Sequence, residues 1–148
     1  MDLSYQTIKK LKLLHPMEER TVVNGLTYGL SSSGYDIRIA QTILMWPGRF
    51  VLASSKEQFL MPNNVSADVK DKSTWIRRGI SVHNTYIEAG WAGYLTLELK
   101  NEGFKFIKIN KGDPIAQIVF HFLDEHTEKP YVGKYQRQQP GPQPARAE

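Results

Sequence analysis

The chain has no cysteine, which removes any disulfide frame and fits a reducing compartment. It also removes one large class of chemistry. Zinc-dependent base deaminases hold their metal through a His or Cys set that includes a Pro-Cys-x-x-Cys segment, and that route is closed without the cysteines. Histidine is scarce too. His15, His83, His121 and His126 are scattered and do not form a metal-binding helix motif. No Gly-x-x-x-x-Gly-Lys-Ser/Thr loop occurs, which speaks against P-loop phosphate chemistry. No apolar run approaches the roughly 20 residues of a membrane span, and the N-terminus lacks the signal-peptide pattern. The expectation is a soluble cytoplasmic protein with no membrane partner.

At 148 residues the chain fits one domain and is long enough to bury about two-thirds of its unfolded surface without staples. Its net charge is +4, with a pI near 9.3. That modest excess suits a phosphorylated metabolite as readily as nucleic acid. Lys9, Lys10 and Lys12 fall on an expected helix, as a solvated face. Lys70, Lys72, Arg77 and Arg78 flank Ser73 and Thr74, which fits a triphosphate better than a duplex. A duplex reader would more often show a recognition helix or a continuous basic stripe, so no nucleic-acid partner is expected.

Residues 4–14 read as one helix, with Ser4 as N-cap and His15-Pro16 as the stop. Beyond it, short apolar or alternating runs are broken by turn residues. Expected strands cover 36–39, 50–54, 65–70, 80–84, 94–100, 106–109 and 115–122. This pattern predicts a mainly β sandwich or barrel.

Leu95-Thr96-Leu97-Glu98-Leu99-Lys100 alternates like a half-buried strand, which puts Thr96 and Glu98 on the face opposite the leucines. A carboxylate on a rigid strand can be tuned for proton transfer. On spacing alone, an ordinary solvent-facing glutamate is the simpler reading.

The surrounding segments change that balance. Ser33-Gly34-Tyr35-Asp36-Ile37-Arg38, Lys72 to Arg77, Ile87 to Glu98, Gly112-Asp113-Pro114-Ile115-Ala116-Gln117 and the tail from Lys134 follow one another in this order. Together they resemble the dUTPase and dCTP deaminase superfamily, and within it the dCTP deaminase branch. The resemblance implies a distorted jelly-roll of the dUTPase-like β-clip kind, a short N-terminal helix and a homotrimer with sites at subunit interfaces. It implies a domain over 1–133 and a flexible tail over 134–148 that closes on bound nucleotide. The implied reaction is zinc-independent hydrolysis of dCTP to dUTP and ammonia, in some relatives continuing to dUMP. Magnesium is expected to arrive bound to the triphosphate, and the protein itself to supply no metal ligands. A dUTPase, or a silent nucleotide-binding regulator of the same fold, are the alternatives.

The resemblance also implies roles for single residues. Glu98 matches the catalytic glutamate, which would activate water and return a proton to the leaving nitrogen. Ser73 and Arg77 match the Ser and Arg of Arg-Ser-Ser-Leu-x-Arg. Ser73 would hold water or a phosphate oxygen, and Arg77 would stabilise the ionised glutamate and developing negative charge. Lys72, Thr74, Thr96 and Gln117 join the expected substrate contacts. Glu88 stands where the deaminases hold the deoxyribose hydroxyl. Trp91 belongs to the Gly-Trp-x-Gly pattern, as sugar platform or as core. Tyr131, Lys134 and Gln138 match tail residues that reach phosphates and base.

The chain also departs from the family pattern. Lys72 keeps charge but lacks the arginine fork. Thr74 replaces Ser conservatively, Trp75 and Ile76 are bulkier than usual, and Glu88 is a methylene longer than the usual Asp. The segment from Arg77 to Ile87 is shortened, with Tyr86 where an arginine is common. The tail is rich in Gln, Pro and Arg, a composition that cannot bury enough apolar surface to fold alone. Deleting residues 130–148 is therefore expected to spare the fold and oligomer mass but to sharply weaken nucleotide turnover. Unchanged turnover in the truncated chain would remove Tyr131, Lys134 and Gln138 from the site.

Overall fold

In a computed structural model describing residues 1–148, the chain is mainly β. Helix α1 (Tyr5–Leu11) precedes β1 (Leu14–His15), β2 (Thr21–Val23), β3 (Leu26–Leu30), β4 (Tyr35–Arg38) and β5 (Ile43–Met45). The long strand β6 (Phe50–Leu60) and β7 (Val65–Asp71) lead to a single helical turn, α2 (Ser73–Ile76). Then come β8 (Ile80–Val82), β9 (Ala92–Asn101), β10 (Ile107–Ile109) and β11 (Pro114–Phe122). All strand pairs are antiparallel. One sheet runs β1-β6-β9-β8, another β2-β3-β4-β11-β7, and β10 pairs with β5. No helix is long and apolar enough to cross a membrane.

Alternation in the sequence matches the strands because alternate residues face the core. On β11, Ala116, Ile118 and Phe120 are fully buried; on β9, Leu97 and Leu99 are. Tyr35, Ile37 and Phe59 join them in one apolar core fed by both large sheets. Burial pushes the Tyr35 hydroxyl up to about 12, while its oxygen accepts the Glu18 backbone N–H at 3.1 Å.

The N-terminus corrects the sequence reading. The helix ends at Leu11, not at His15-Pro16, because Lys12 turns left-handed at φ 52°. Leu13 and Leu14 are then buried outside the helix, with Leu14 paired to Phe59 across the sheet. A continued helix would have kept them from that ladder. Ser4 sits at the N-cap but bonds the Thr7 hydroxyl at 3.1 Å rather than the helix backbone. Strands β1, β2, β3 and β5 escaped the pattern reading. They are short or lie near turn residues, so local alternation is weak. The run expected at 50–54 continues to Leu60 past a register shift between Ser54 and Gln58.

That irregularity turns Glu57 inward, where it has no exposed surface. Glu57 accepts the Arg38 backbone N–H at 3.0 and 3.1 Å and its Nε–H at 2.9 Å. The Arg38 guanidinium also lies 4.2 Å from the centre of the Tyr28 ring. The pair joins β4 of one sheet to β6 of the other. Removing one partner strands a buried charge. Arg38→Ala or Glu57→Ala is thus expected to lower unfolding free energy in urea by about 3–5 kcal/mol. Replacing the pair with Met and Leu is expected to cost clearly less. Equal losses in the single and double replacements would show that lost packing, not the stranded charge, sets the cost.

Candidate functional site

A cleft of about 710 Å³ opens along β9. Its floor is β9 itself, with Leu95, Thr96 and Glu98, flanked by Phe50 and Leu52 of β6. The loop from Asn84 to Glu88 forms one wall, and Trp91 and the C-terminal tail form another.

Glu98 is partly buried on the face that alternation predicts. Burial pushes its carboxyl above the ordinary glutamate range, and the positive form of His83 partly opposes this. Its backbone is tied on both sides: the N–H donates to Asn84 Oδ1 at 2.9 Å, and the carbonyl accepts the His83 N–H at 2.8 Å. Thr96 is buried, and its Oγ1 accepts the Gln143 N–H at 3.1 Å. Glu88 is exposed on the loop wall. Trp91 has two contacts. Its ring packs 5.8 Å from Phe59 in the core, and its Nε1 donates to the Tyr135 carbonyl at 2.7 Å. It therefore lines the cleft and anchors the tail together.

The tail lies along the outer edge of β9. Arg137 N–H donates to Ala92 O at 2.8 Å, Tyr94 N–H donates to Gln138 O at 3.0 Å, and Gln136 Oε1 accepts the Ala92 N–H at 2.8 Å. Gly93 permits this approach: with φ 144°, a Cβ there would stand 2.6 Å from Gln138 N. Tyr131 and Gln138 reach the cleft, with Gln138 buried. Lys134 instead pairs with Glu148 at 3.3 Å on the outside.

The structure thus brings Glu88, Trp91, Thr96, Glu98, Tyr131 and Gln138 into one cleft. Ser73, Thr74 and Arg77 sit on or just after α2, outside it. Trp75 fixes this turn by burying its ring and donating Nε1–H to Pro114 O at 2.6 Å, which explains the bulky residue. Arg78 lies over that ring at 5.1 Å, whereas Arg77 is exposed and free of ion pairs within the chain. Lys72 turns inward and binds Asp36 at 2.9 Å, with Gln117 nearby on β11 opposite Asp36. Burial raises the Asp36 carboxyl above its ordinary range against the pull of Lys72. Asn84, Tyr135 and Gln143 also line the cleft. Asn84 lies outside the matched segments, where only the shortened stretch before Ile87 hinted at a distinctive wall; Tyr135 and Gln143 lie in the tail. No group of three or more His, Cys, Asp or Glu is arranged to hold a metal. Glu88 and Glu98 are the acids that line the cleft.

A family model described as dCTP deaminase-like matches residues 10–123. The chain is 40% identical over 105 residues to the "dCTP deaminase, dUMP-forming" of Methanosphaerula palustris, covering 67% of this chain and 56% of that protein. It is 35% identical over a 159-residue alignment to the dCTP deaminase of Gemmatimonas aurantiaca, covering 85% of this chain and 86% of that protein. Among solved structures, the 2'-deoxycytidine 5'-triphosphate deaminase from Agrobacterium tumefaciens superposes with TM-score 0.66 at 19% identity. That match covers 82% of this chain and 48% of the other. The native EIAV dUTPase superposes with TM-score 0.61 at 16% identity, over 82% of this chain and 97% of that one. At these identities the two superpositions show the dUTPase-like fold.

The Glu98 environment is open to direct measurement. In a carbon-detected NMR titration its carboxyl midpoint is expected above that of an exposed glutamate, so the side chain holds its proton to higher pH. His83→Ala removes a positive neighbour and is expected to raise the midpoint further. A midpoint at or below the ordinary value would mean that the cleft does not desolvate this carboxylate.

Proposed function

The chain belongs to the dCTP deaminase-like family, and from that membership we propose that it hydrolyses dCTP to dUTP and ammonia without zinc. The observation that carries this reading is Glu98, a partly buried carboxylate on a strand at the floor of the cleft, with burial pushing its carboxyl above the ordinary range. Water attacks C4 of the cytosine, and Glu98 accepts a proton from it. The same proton passes to the exocyclic nitrogen, the C–N bond breaks, and ammonia leaves. A raised carboxyl suits both steps, since the group must gain and then lose a proton near neutral pH. Water supplies the oxygen that the base retains. Magnesium enters with the triphosphate as part of the substrate.

Glu88 and Trp91 are assigned to the sugar, and Tyr131 and Gln138 to the closing tail. Ser73, Thr74 and Arg77 are assigned to the cleft of an adjacent copy in a homotrimer. The exposure of Ser73 and Arg77 at the two ends of α2, away from the chain's own cleft, supports this, as does the unpaired guanidinium of Arg77; Thr74 is half-buried between them. Exposed Leu44, Trp46, Phe50 and Phe106 also leave apolar surface for a neighbour to cover. Lys72, held by Asp36, then acts on the substrate through the placement of α2.

A second reading has one observation in its favour: the Methanosphaerula palustris relative is named dUMP-forming. In that reading the chain also cleaves dUTP to dUMP and pyrophosphate. The longer Glu88 side chain argues for dUTP as the product, because displacements near 1 Å matter at a reacting centre.

Incubation with magnesium and a panel of deoxynucleoside triphosphates separates these readings through ammonia, dUTP, dUMP and pyrophosphate. Glu98→Gln is expected to lower ammonia release by about two to four orders of magnitude while nucleotide binding largely survives. Mixing Glu98→Gln chains with Arg77→Ala chains is expected to restore part of the release, since some clefts would then combine an intact Glu98 and an intact Arg77. Near-normal ammonia release by Glu98→Gln would overturn the assignment of the base. Absence of recovery in mixtures that exchange subunits would overturn the shared cleft.

A further inference from the structure

Strand β9 has one edge occupied by β6 from Ala92 to Lys100, except at the register shift, where the Ser55 hydroxyl takes the Leu95 N–H. Its other edge is covered in pieces. β8 pairs with it only from Leu99 to Asn101, and His83 N–H adds a bond to Glu98 O at 2.8 Å. At the opposite end the tail covers Ala92 to Tyr94. Between these two lies the backbone around Leu97, bordering the cleft. A bare strand edge there would offer its polar groups to water or to ligand.

Asn84 fills that gap. Its Nδ2–H donates to Thr96 O at 2.6 Å, and its Oδ1 accepts Glu98 N–H at 2.9 Å. A primary amide carries one donor side and one acceptor side, as a peptide group does. The Asn84 side chain therefore continues the ladder for one step after the β8 backbone has turned away into the wall of the cleft. Both bonds grip the two residues that present polar side chains to the cleft.

We propose that Asn84 is a positioning residue for Glu98, fixing the β9 backbone on either side of Leu97 so that the carboxylate is held at one place and depth. This rests on the reading of Glu98 as the base. The amide sets a donor and an acceptor side by side on a one-carbon stem. Aspartate keeps the acceptor but sets an oxygen against Thr96 O, and leucine keeps the shape with neither bond. The partly buried site adds to the effect, because a loosened edge admits water to the carboxylate whose protonation burial now favours.

The test compares wild type, Asn84→Leu and Asn84→Asp by dCTP kinetics, the pH dependence of kcat, hydrogen exchange of the Glu98 amide and melting temperature. For Asn84→Leu, kcat is expected to fall about 10- to 100-fold, the scale of a displacement near 1 Å at a reacting centre. KM is expected to change by less than about threefold, since binding contacts lie elsewhere. The acid limb of the kcat profile is expected to move to lower pH, and the Glu98 amide to exchange faster, with exchange at the β6 edge unchanged. Asn84→Asp keeps the acceptor for the Glu98 N–H and loses only the bond to Thr96 O, so kcat is expected to fall with the Glu98 amide still protected, and the added negative charge is expected to move the acid limb to higher pH. A loss confined to KM, with Glu98 exchange and the acid limb as in wild type, would overturn the proposal and make Asn84 a substrate contact. If wild type releases no ammonia, exchange decides alone. Faster Glu98 exchange in a folded Asn84→Leu chain upholds the clamp while the deaminase reading fails; unchanged exchange overturns the clamp itself.

Discussion

A carboxylate with no exposed surface must have its charge answered inside the chain, and Arg38 answers Glu57 with both its backbone N–H and its guanidinium. That demand fixes where β4 meets β6. It also holds the irregular stretch of β6 from Ser54 to Gln58 in place. The same stretch reaches β9: Ser55 Oγ accepts the Leu95 N–H at 2.9 Å and donates to Glu57 O at 2.7 Å. The buried ion pair is thus two hydrogen bonds, through Ser55, from the strand that carries Thr96 and Glu98. The placement of the cleft floor follows from a charge pair that never meets the cleft.

The second constraint is the outer edge of β9. A complete partner strand would satisfy its backbone but leave no room for a ligand beside Glu98. Here the edge is divided among β8, one asparagine side chain and the tail. Each piece satisfies a short length of backbone, and the cleft opens between them. The tail serves as wall and as partial strand at once, which is why Trp91 can anchor it through the Tyr135 carbonyl while packing on Phe59. Its glutamines supply what its composition lacks in apolar surface: Gln136 and Gln138 exchange hydrogen bonds with Ala92, Tyr94 and Gly90.

Charge is handled differently at the two matched basic positions. Lys72 is drawn in by Asp36 and leaves the surface. Arg77, one turn later, stays exposed without a partner. Stacking of Arg78 on Trp75 leaves Arg77 as the free cation of the pair. Sequence spacing placed both arginines side by side; only the burial of Trp75 separates their surroundings.

The β class, the alternation of Leu95 to Leu99 and the face that carries Glu98 were legible in the sequence. Strand alternation has a period of two and needs no knowledge of distant residues. The ordered segments from Ser33 to Gln138 made the family legible for the same reason, since residue types and spacing are local. The end of α1, the inward turn of Glu57, the capture of Lys72 by Asp36 and the grip of Asn84 on β9 were not legible. Each depends on residues that stand 12 or more positions apart and meet only on folding, as Asn84 does with Thr96 and Glu98. The sequence by itself determined which side chains could face a cleft. The tertiary structure decided which of them do, because a backbone edge or a buried charge takes its partner from whatever part of the chain folding brings beside it.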